Sequence, residues 1–309
     1  MSLTSFIKKK EIRDLFASEF KQPRDKITGE IKAPPLTKHF VMIGTAFDYL
    51  LRFYLKYHNP EAKEHGWVAE LSCRLIHPDP RIFTQLDPDI CEIVPGICEI
   101  IIKNQNFAKN VDPDIREIAL KNLNFAKDAY SKFLENGVFS KDILKSAILL
   151  AQLDPIYRAY YIDPNMGIVD NADIQDLRNL ISLVNIEDFK VNSYCLLNPT
   201  FGEGSGLVGG ADADIVIDNQ LIDIKTTKQL KISRHMFNQI IGYYILGKIG
   251  GIGREKIDIS NISEIGFYFS RYGMKYMYKV EEIIDFNSLP DFIDRFEDKA
   301  KKLFLAHAP

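Results

Sequence analysis

The sequence predicts an α/β protein in which a small mixed central sheet, flanked by helices, carries a large N-terminal helical elaboration. Apolar residues recur at three-and-four spacing through most of the first 188 positions. From Ser193 onward short runs rich in Val, Ile, Tyr and Phe take over, separated by Gly and Asn. Neither an internal repeat nor a low-complexity linker divides the chain. The whole of 1–309 therefore reads as one domain, with core segments at 36–58 and 189–285 and a helical insertion at 60–188.

In chain order, Phe6, Ile12, Leu15, Phe16 and Phe20 give helical spacing over 5–20, and Pro23, Gly29 and Pro34-Pro35 then break regular structure. Thr37 is the expected N-cap of a helix running to Tyr57, with Phe40, Ile43, Phe47, Leu50, Leu51, Tyr54 and Leu55 on its apolar face and Asn59-Pro60 as its stop. Helical patterns follow near 66–77, 113–135, 140–152 and 171–184, with no strand-like alternation between 60 and 188. Strands are expected at 193–199, 208–217, 220–226, 265–271 and 275–280. A helix over 233–248 lies among them, and another over 288–305, with Phe292, Phe296, Ala300, Leu303 and Phe304 on one side, closes the chain.

Composition narrows the function classes. Hydrophobic residues at 46% and charged residues at 26% exclude a disordered or collagen-like chain. Lys+Arg 39 against Asp+Glu 42 leaves a net charge of -3, so no global positive field announces a nucleic acid or an anionic membrane. The N-terminus lacks a signal-peptide pattern and no apolar run is long enough to span a bilayer, which predicts a protein of the reducing cytoplasm. Cys73, Cys91, Cys98 and Cys195 form no CxxC pair and read as buried free thiols rather than metal ligands.

The densest chemistry falls between Gly209 and Thr227. If Asp218-Asn219 is a two-residue hairpin turn, Ile217 faces Gln220, Val216 faces Leu221 and Asp214 faces Asp223. Lys225 then shares the face of that acid pair, opposite Asp212. Opposed like charges destabilise a hairpin unless a cation lies between them. Two carboxylates and a lysine on one face suit a divalent metal such as Mg²⁺ or Mn²⁺ with open water positions. The bland alternative is a solvated sheet face with a chance salt bridge. The opposite face, with Ala213, Ile215 and Ile217 against Ile222, Ile224 and Thr226, is apolar and suited to packing on helices.

Asp214 followed by Asp223-Ile224-Lys225 resembles the PD-(D/E)XK nuclease superfamily, whose core is restriction-endonuclease-like. The next helix carries Gln239-x-x-x-Tyr243, which is similar to the Gln-x-x-x-Tyr motif of RecB-type and CRISPR-associated exonucleases; at i and i+4 both side chains project from one face. Upstream, Gly44-x-x-x-Asp48 resembles the Gly-x-x-x-His motif of the RecB-like group with Asp48 at the histidine place. Asp48 is thus either a further metal ligand or simply the partner of Arg52 one turn later. The resemblance covers roughly 36–58 and 189–285.

That resemblance implies a metal-dependent deoxyribonuclease, most simply an exonuclease. Asp214, Asp223 and the backbone carbonyl of Ile224 would hold Mg²⁺ or Mn²⁺, Lys225 would orient the attacking water, and Gln239 and Tyr243 would position the scissile strand. One departure from the resemblance concerns iron: some relatives carry a four-cysteine iron–sulfur cluster with cysteines after the Gln-x-x-x-Tyr helix, and because no cysteine follows Cys195 no cluster is expected here. A restriction- or mobile-element-type endonuclease and a catalytically silent nucleic-acid-binding module remain as alternatives. The net charge hides a local surplus: between Asp223 and Glu255 the only charged residues are Lys225, Lys228, Lys231, Arg234, Lys248 and Arg254. Lys228, Lys231 and Arg234 are accordingly candidate contacts to DNA phosphates. The glycine-rich stretches 202–210 and 247–253 lack the strand–glycines–helix order of a phosphate loop, and His235 is only a minor candidate base.

Overall fold

The computed structural model describes residues 2–24, 26–77 and 105–305. Two short N-terminal helices, α1 (Leu3–Phe6) and α2 (Lys10–Glu19), precede the long α3 (Phe40–His58). Strand β1 (Lys63–Glu64) and α4 (Val68–Ile76) follow, then α5 (Gln105–Asn110), α6 (Pro113–Asn136), α7 (Lys141–Ala159) and α8 (Asn171–Ile181). The C-terminal part runs β2 (Cys195–Leu197), α9 (Gly202–Leu207), β3 (Ile215–Ile217), β4 (Gln220–Lys225), α10 (Arg234–Gly250), β5 (Glu264–Phe269), β6 (Met274–Lys279), α11 (Val280–Ile283) and α12 (Leu289–Leu305).

The strands form one mixed sheet in the order β1-β2-β3-β4-β5-β6. β1–β2 and β4–β5 are parallel; the other neighbours are antiparallel. Alternation along the central strands divides the core in two. Ile215, Ile217, Ile222 and Tyr268 pack beneath Phe47, Leu50 and Leu51 of α3, with Leu123, Leu144 and Leu177 of the helical segment behind them. Val216, Leu221, Phe267 and Phe269 pack on the other side, with Phe6, Phe16, Ile240, Tyr244, Phe292 and Phe296. Helices thus cover both sheet faces, α3 with the helical segment stacked behind it on one side and α1, α2, α10 and α12 on the other.

Four sequence expectations are corrected. Residues 5–20 form two helices, because the chain turns at Ile7–Lys9 between α1 and α2. Thr37 does not cap α3: the helix begins at Phe40 with His39 in the N-cap position, and Thr37 Oγ1 accepts only the His39 N–H at 3.3 Å. The run 208–217 is a strand only at Ile215–Ile217, because Gly209 and Gly210 take φ of 78° and 123° and the preceding residues wind into α9. The segment 60–188 is not wholly helical, since Lys63–Glu64 pairs with Leu196–Leu197 and extends the sheet. Two residues cannot show an alternation, which is why the sequence concealed β1.

The remaining elements lie close to expectation. α6 starts at an Asp112 cap whose carboxylate accepts the Asp114 N–H at 2.9 Å and ends at Gly137 with φ of 66°. α7 outlasts its expected end and continues through Pro155 to Ala159, the Tyr157 N–H donating to Ser72 Oγ at 3.2 Å. Cys73 and Cys195 are buried free thiols, each pushed by burial up to about 12. Cys91 and Cys98 lie outside the described residues.

Candidate active site

The β3–β4 hairpin forms in the register that its turn implies: Ile217 opposite Gln220, Val216 opposite Leu221 and Ile215 opposite Ile222. Asp218 turns the chain with φ of 49°, and its carboxylate accepts the N–H groups of Asn192, Ser193 and Tyr194 at 2.9, 2.7 and 3.1 Å. One step beyond the ladder, the same register opposes Asp214 and Asp223. Asp214 remains tied to both neighbours: its carbonyl accepts the Asn198 N–H at 2.9 Å and its Oδ2 accepts the Ile224 N–H at 2.5 Å.

Asp214, Asp223, Ile224 and Lys225 line a cleft of about 270 Å³ together with Gln239 and Tyr243 of α10 and Asp48 of α3. Lys225 pairs with Asp223, and its ammonium also donates to Gln239 Oε1 at 3.1 Å. Gln239 Nε2 in turn donates to the Tyr243 hydroxyl at 2.9 Å. The chain Asp223–Lys225–Gln239–Tyr243 therefore crosses from strand to helix.

Burial pushes the Asp214 carboxyl well above the usual carboxylate range, and the neighbouring charges of Asp223 and Asp48 push it further. Burial raises Asp223 as well, outweighing the opposing pull of Lys225. The Tyr243 hydroxyl is held far above 10 by burial and then by Asp223 and Asp214. These shifts arise first from burial and then from neighbouring carboxylates. Five aspartates line the cleft (Asp48, Asp154, Asp212, Asp214 and Asp223), against Arg158 and Lys225. A set of hard carboxylate oxygens with uncompensated charge fits a divalent cation such as Mg²⁺ or Mn²⁺.

The second wall is helical. Asp48 serves the cleft and Arg52 together: it lines the pocket while its two oxygens accept from Arg52 Nε and Nη2 at 3.2 and 2.6 Å. Arg52, 2% exposed, lies over the Tyr49 ring at 4.6 Å, and the Tyr49 hydroxyl donates to Asp154 Oδ1 at 2.6 Å. From the end of α7, Arg158 grips Asp212 with both terminal nitrogens at 3.3 and 2.9 Å. This overturns one expected pairing: Asp212 is not the partner of Lys225. The hairpin ladder stops at Ile215, Asp212 bridges to Thr200 instead, and its carboxylate belongs to Arg158.

Tyr49, Asp154 and Arg158 escaped the sequence reading because they sit in helices whose spacing signals packing. Asp154 and Arg158 at i and i+4 around Pro155 were the available sign. Lys228, Lys231 and Arg234 are not among the residues that line the cleft. Arg234 donates to the Phe16 carbonyl at 2.8 Å, while Lys228 and Lys231 are exposed. His235 also stands outside the cleft. A separate group, His39 at the start of α3 with Asp170 and Asp173 at the start of α8, gathers its ligand atoms within 4.8 Å.

The glycine-rich stretches pack elements together. A Cβ on Gly204 would lie 2.4 Å from the Leu246 carbonyl oxygen, and one on Gly250 would lie 2.0 Å from the Phe201 oxygen. Close backbone approach between α9 and α10 thus requires glycine at these two positions, while Gly210 lines the cleft.

No family model, no curated protein and no solved structure matches this chain. Its site is therefore defined by its own residues.

Proposed function

We propose that this protein is a metal-dependent nuclease that hydrolyses DNA phosphodiester bonds, with the restriction-endonuclease-like core of the PD-(D/E)XK superfamily and, within it, the RecB-like exonuclease character. One observation carries the reading: Asp48, Asp214, Asp223, Lys225, Gln239 and Tyr243, singled out by motif order alone, line one cleft although they come from α3, β3–β4 and α10. Scattered surface residues have no reason to converge in this way, and a pair of repelling carboxylates, one buried and one half-buried, is unfavourable without a cation to hold.

On this reading Asp214, Asp223 and the Ile224 carbonyl hold Mg²⁺ or Mn²⁺, with Asp48 as a further ligand shared with Arg52. The bound ion supplies Lewis-acid stabilisation of the negative charge that builds on the phosphate. Lys225, anchored by Asp223 and Gln239, keeps its ammonium in the cleft and orients the water that attacks phosphorus. Gln239 and Tyr243 exchange their mutual hydrogen bond for contacts to the scissile strand. Lys228 and Lys231 meet the strand outside the cleft. Among the described residues no helix is long and apolar enough to cross a membrane, and the reducing cytoplasm is the compartment proposed.

The test is hydrolysis of end-labelled single- and double-stranded DNA, linear and circular, with Mn²⁺ or Mg²⁺. Release of nucleotides from linear ends alone supports the exonuclease. Cutting of closed circles identifies the endonuclease alternative, and binding without hydrolysis identifies the silent module.

A further inference from the structure

The α3 side of the cleft continues towards an exposed aromatic ring. Phe40, Gly44 and Asp48 follow one another at four-residue spacing along α3 and so share one of its faces. Gly44 and Thr226 both line the cleft, and a Cβ added to Gly44 would stand 3.7 Å from the Thr226 side chain, so the two elements approach closely there. Beyond it lie Phe40 and, two residues after Thr226, Lys228.

Phe40 belongs to neither hydrophobic core and keeps 41% of its surface exposed. The Lys228 ammonium lies over its ring at 4.4 Å. The loop bearing that lysine is tied down: the Tyr272 hydroxyl donates to the Lys228 carbonyl at 2.5 Å, and Ser270 Oγ to Thr226 Oγ1 at 2.8 Å. A lone exposed Phe is ordinary on a protein surface. One held beside a lysine, in line with a carboxylate cleft, has the chemistry of a platform for nucleobases, whose π-faces stack on aromatic rings while cations meet the phosphates.

We propose that Phe40 stacks on an unpaired base of the strand that enters or leaves the cleft, with Lys228 beside it on the phosphate, and that the substrate is accordingly single-stranded at this point. This rests on the nucleic-acid reading of the cleft and names its substrate class. In a duplex the base faces are already stacked on one another and are closed to Phe40.

The experiment measures binding of fluorescently labelled oligothymidylate, an abasic oligonucleotide of equal length and a blunt duplex to the full chain in EDTA, by anisotropy. Phe40→Ala is expected to weaken oligothymidylate binding about tenfold and to leave abasic and duplex binding unchanged. Phe40→Trp is expected to retain the affinity, and its added indole is expected to be quenched by oligothymidylate and not by the abasic strand. Equal affinities of wild type and Phe40→Ala for oligothymidylate overturn the proposal, as does an equal loss on all three ligands. Hydrolysis of the same oligonucleotide with Mn²⁺ is scored separately. Base-dependent binding without hydrolysis sinks the nuclease and leaves the platform standing, whereas hydrolysis with base-blind binding does the reverse.

Discussion

Asp212 and Asp214 stand two residues apart in one loop, both half-buried, and their carboxyls shift in opposite directions. Burial raises both. At Asp212 the guanidinium of Arg158 outweighs it and the carboxyl falls below its ordinary value. At Asp214 the next neighbours are Asp223 and Asp48, and the carboxyl climbs. The contrast extends to the two walls of the cleft. On the helical wall Asp48 is paired with Arg52, and Asp154 with Tyr49 and Arg158; Arg158 also reaches across to Asp212 in the loop before β3. On the hairpin wall two acids share the one ammonium of Lys225. Partnered acids hold the wall together, and the under-neutralised pair marks where a cation would add most.

Substitutions can break that contrast, and the largest effect is expected on the helical wall. Arg52→Ala leaves Asp48 beside other carboxylates without its buried counter-ion and should cost about 3–5 kcal/mol, seen as a lowered urea midpoint. Asp223→Asn should do the opposite to the fold: Tm holds or rises as repulsion is relieved, while Mn²⁺-dependent hydrolysis falls by about a hundredfold or more if the proposed function is right. A variant that loses stability while keeping hydrolysis would reverse the assignment of the two walls.

Divalent cations should act on the hairpin wall alone. Mg²⁺ or Mn²⁺ at a hundred times its dissociation constant should add about 2.7 kcal/mol, read as a rise in Tm that EDTA removes and Asp214→Asn abolishes. The helical wall should show itself through pH. Asp154 is raised to about 6, by burial against the pull of Arg158, so the folded protein binds this proton more tightly than the unfolded chain does. Its contribution is full below the ordinary value of 3.8 and is lost as pH rises through about 6. Thermal melts in EDTA from acid to neutral pH should accordingly show a smaller decline in Asp154→Asn than in wild type. The smallest effect belongs to Arg158→Ala, about 1 kcal/mol, because this half-exposed guanidinium is screened by water.

Much of this site was legible before any coordinates. The Asp218-Asn219 turn dictates a pairing sum, and the observed register of Ile215 with Ile222 obeys it, so the opposition of Asp214 and Asp223 followed from local chemistry. Gln239 and Tyr243 on one helical face followed from a period of 3.6. The helical wall was less legible. Asp154 and Arg158 sit in a helix whose pattern reports burial, and nothing local says that α7 ends beside the hairpin. Strand β1 was hidden by its length, and the seven residues from Val208 to Asp214 were misread because apolar and small residues fit a strand as well as a loop until Gly209 and Gly210 take positive φ.

The sequence by itself determined what depends on neighbours along the chain: the helices, the hairpin and its register, and the acid pair facing one lysine. Only the tertiary structure decided what depends on charges brought together from distant segments. Arg158 closes on Asp212, Arg52 on Asp48, and Lys225 is the cation that reaches Asp214 and Asp223 among the described residues. Hydrogen-bond periodicity acts over a few residues, whereas the energy of a buried carboxylate depends on whatever charge packs within a few ångströms of it, whichever segment brings it there.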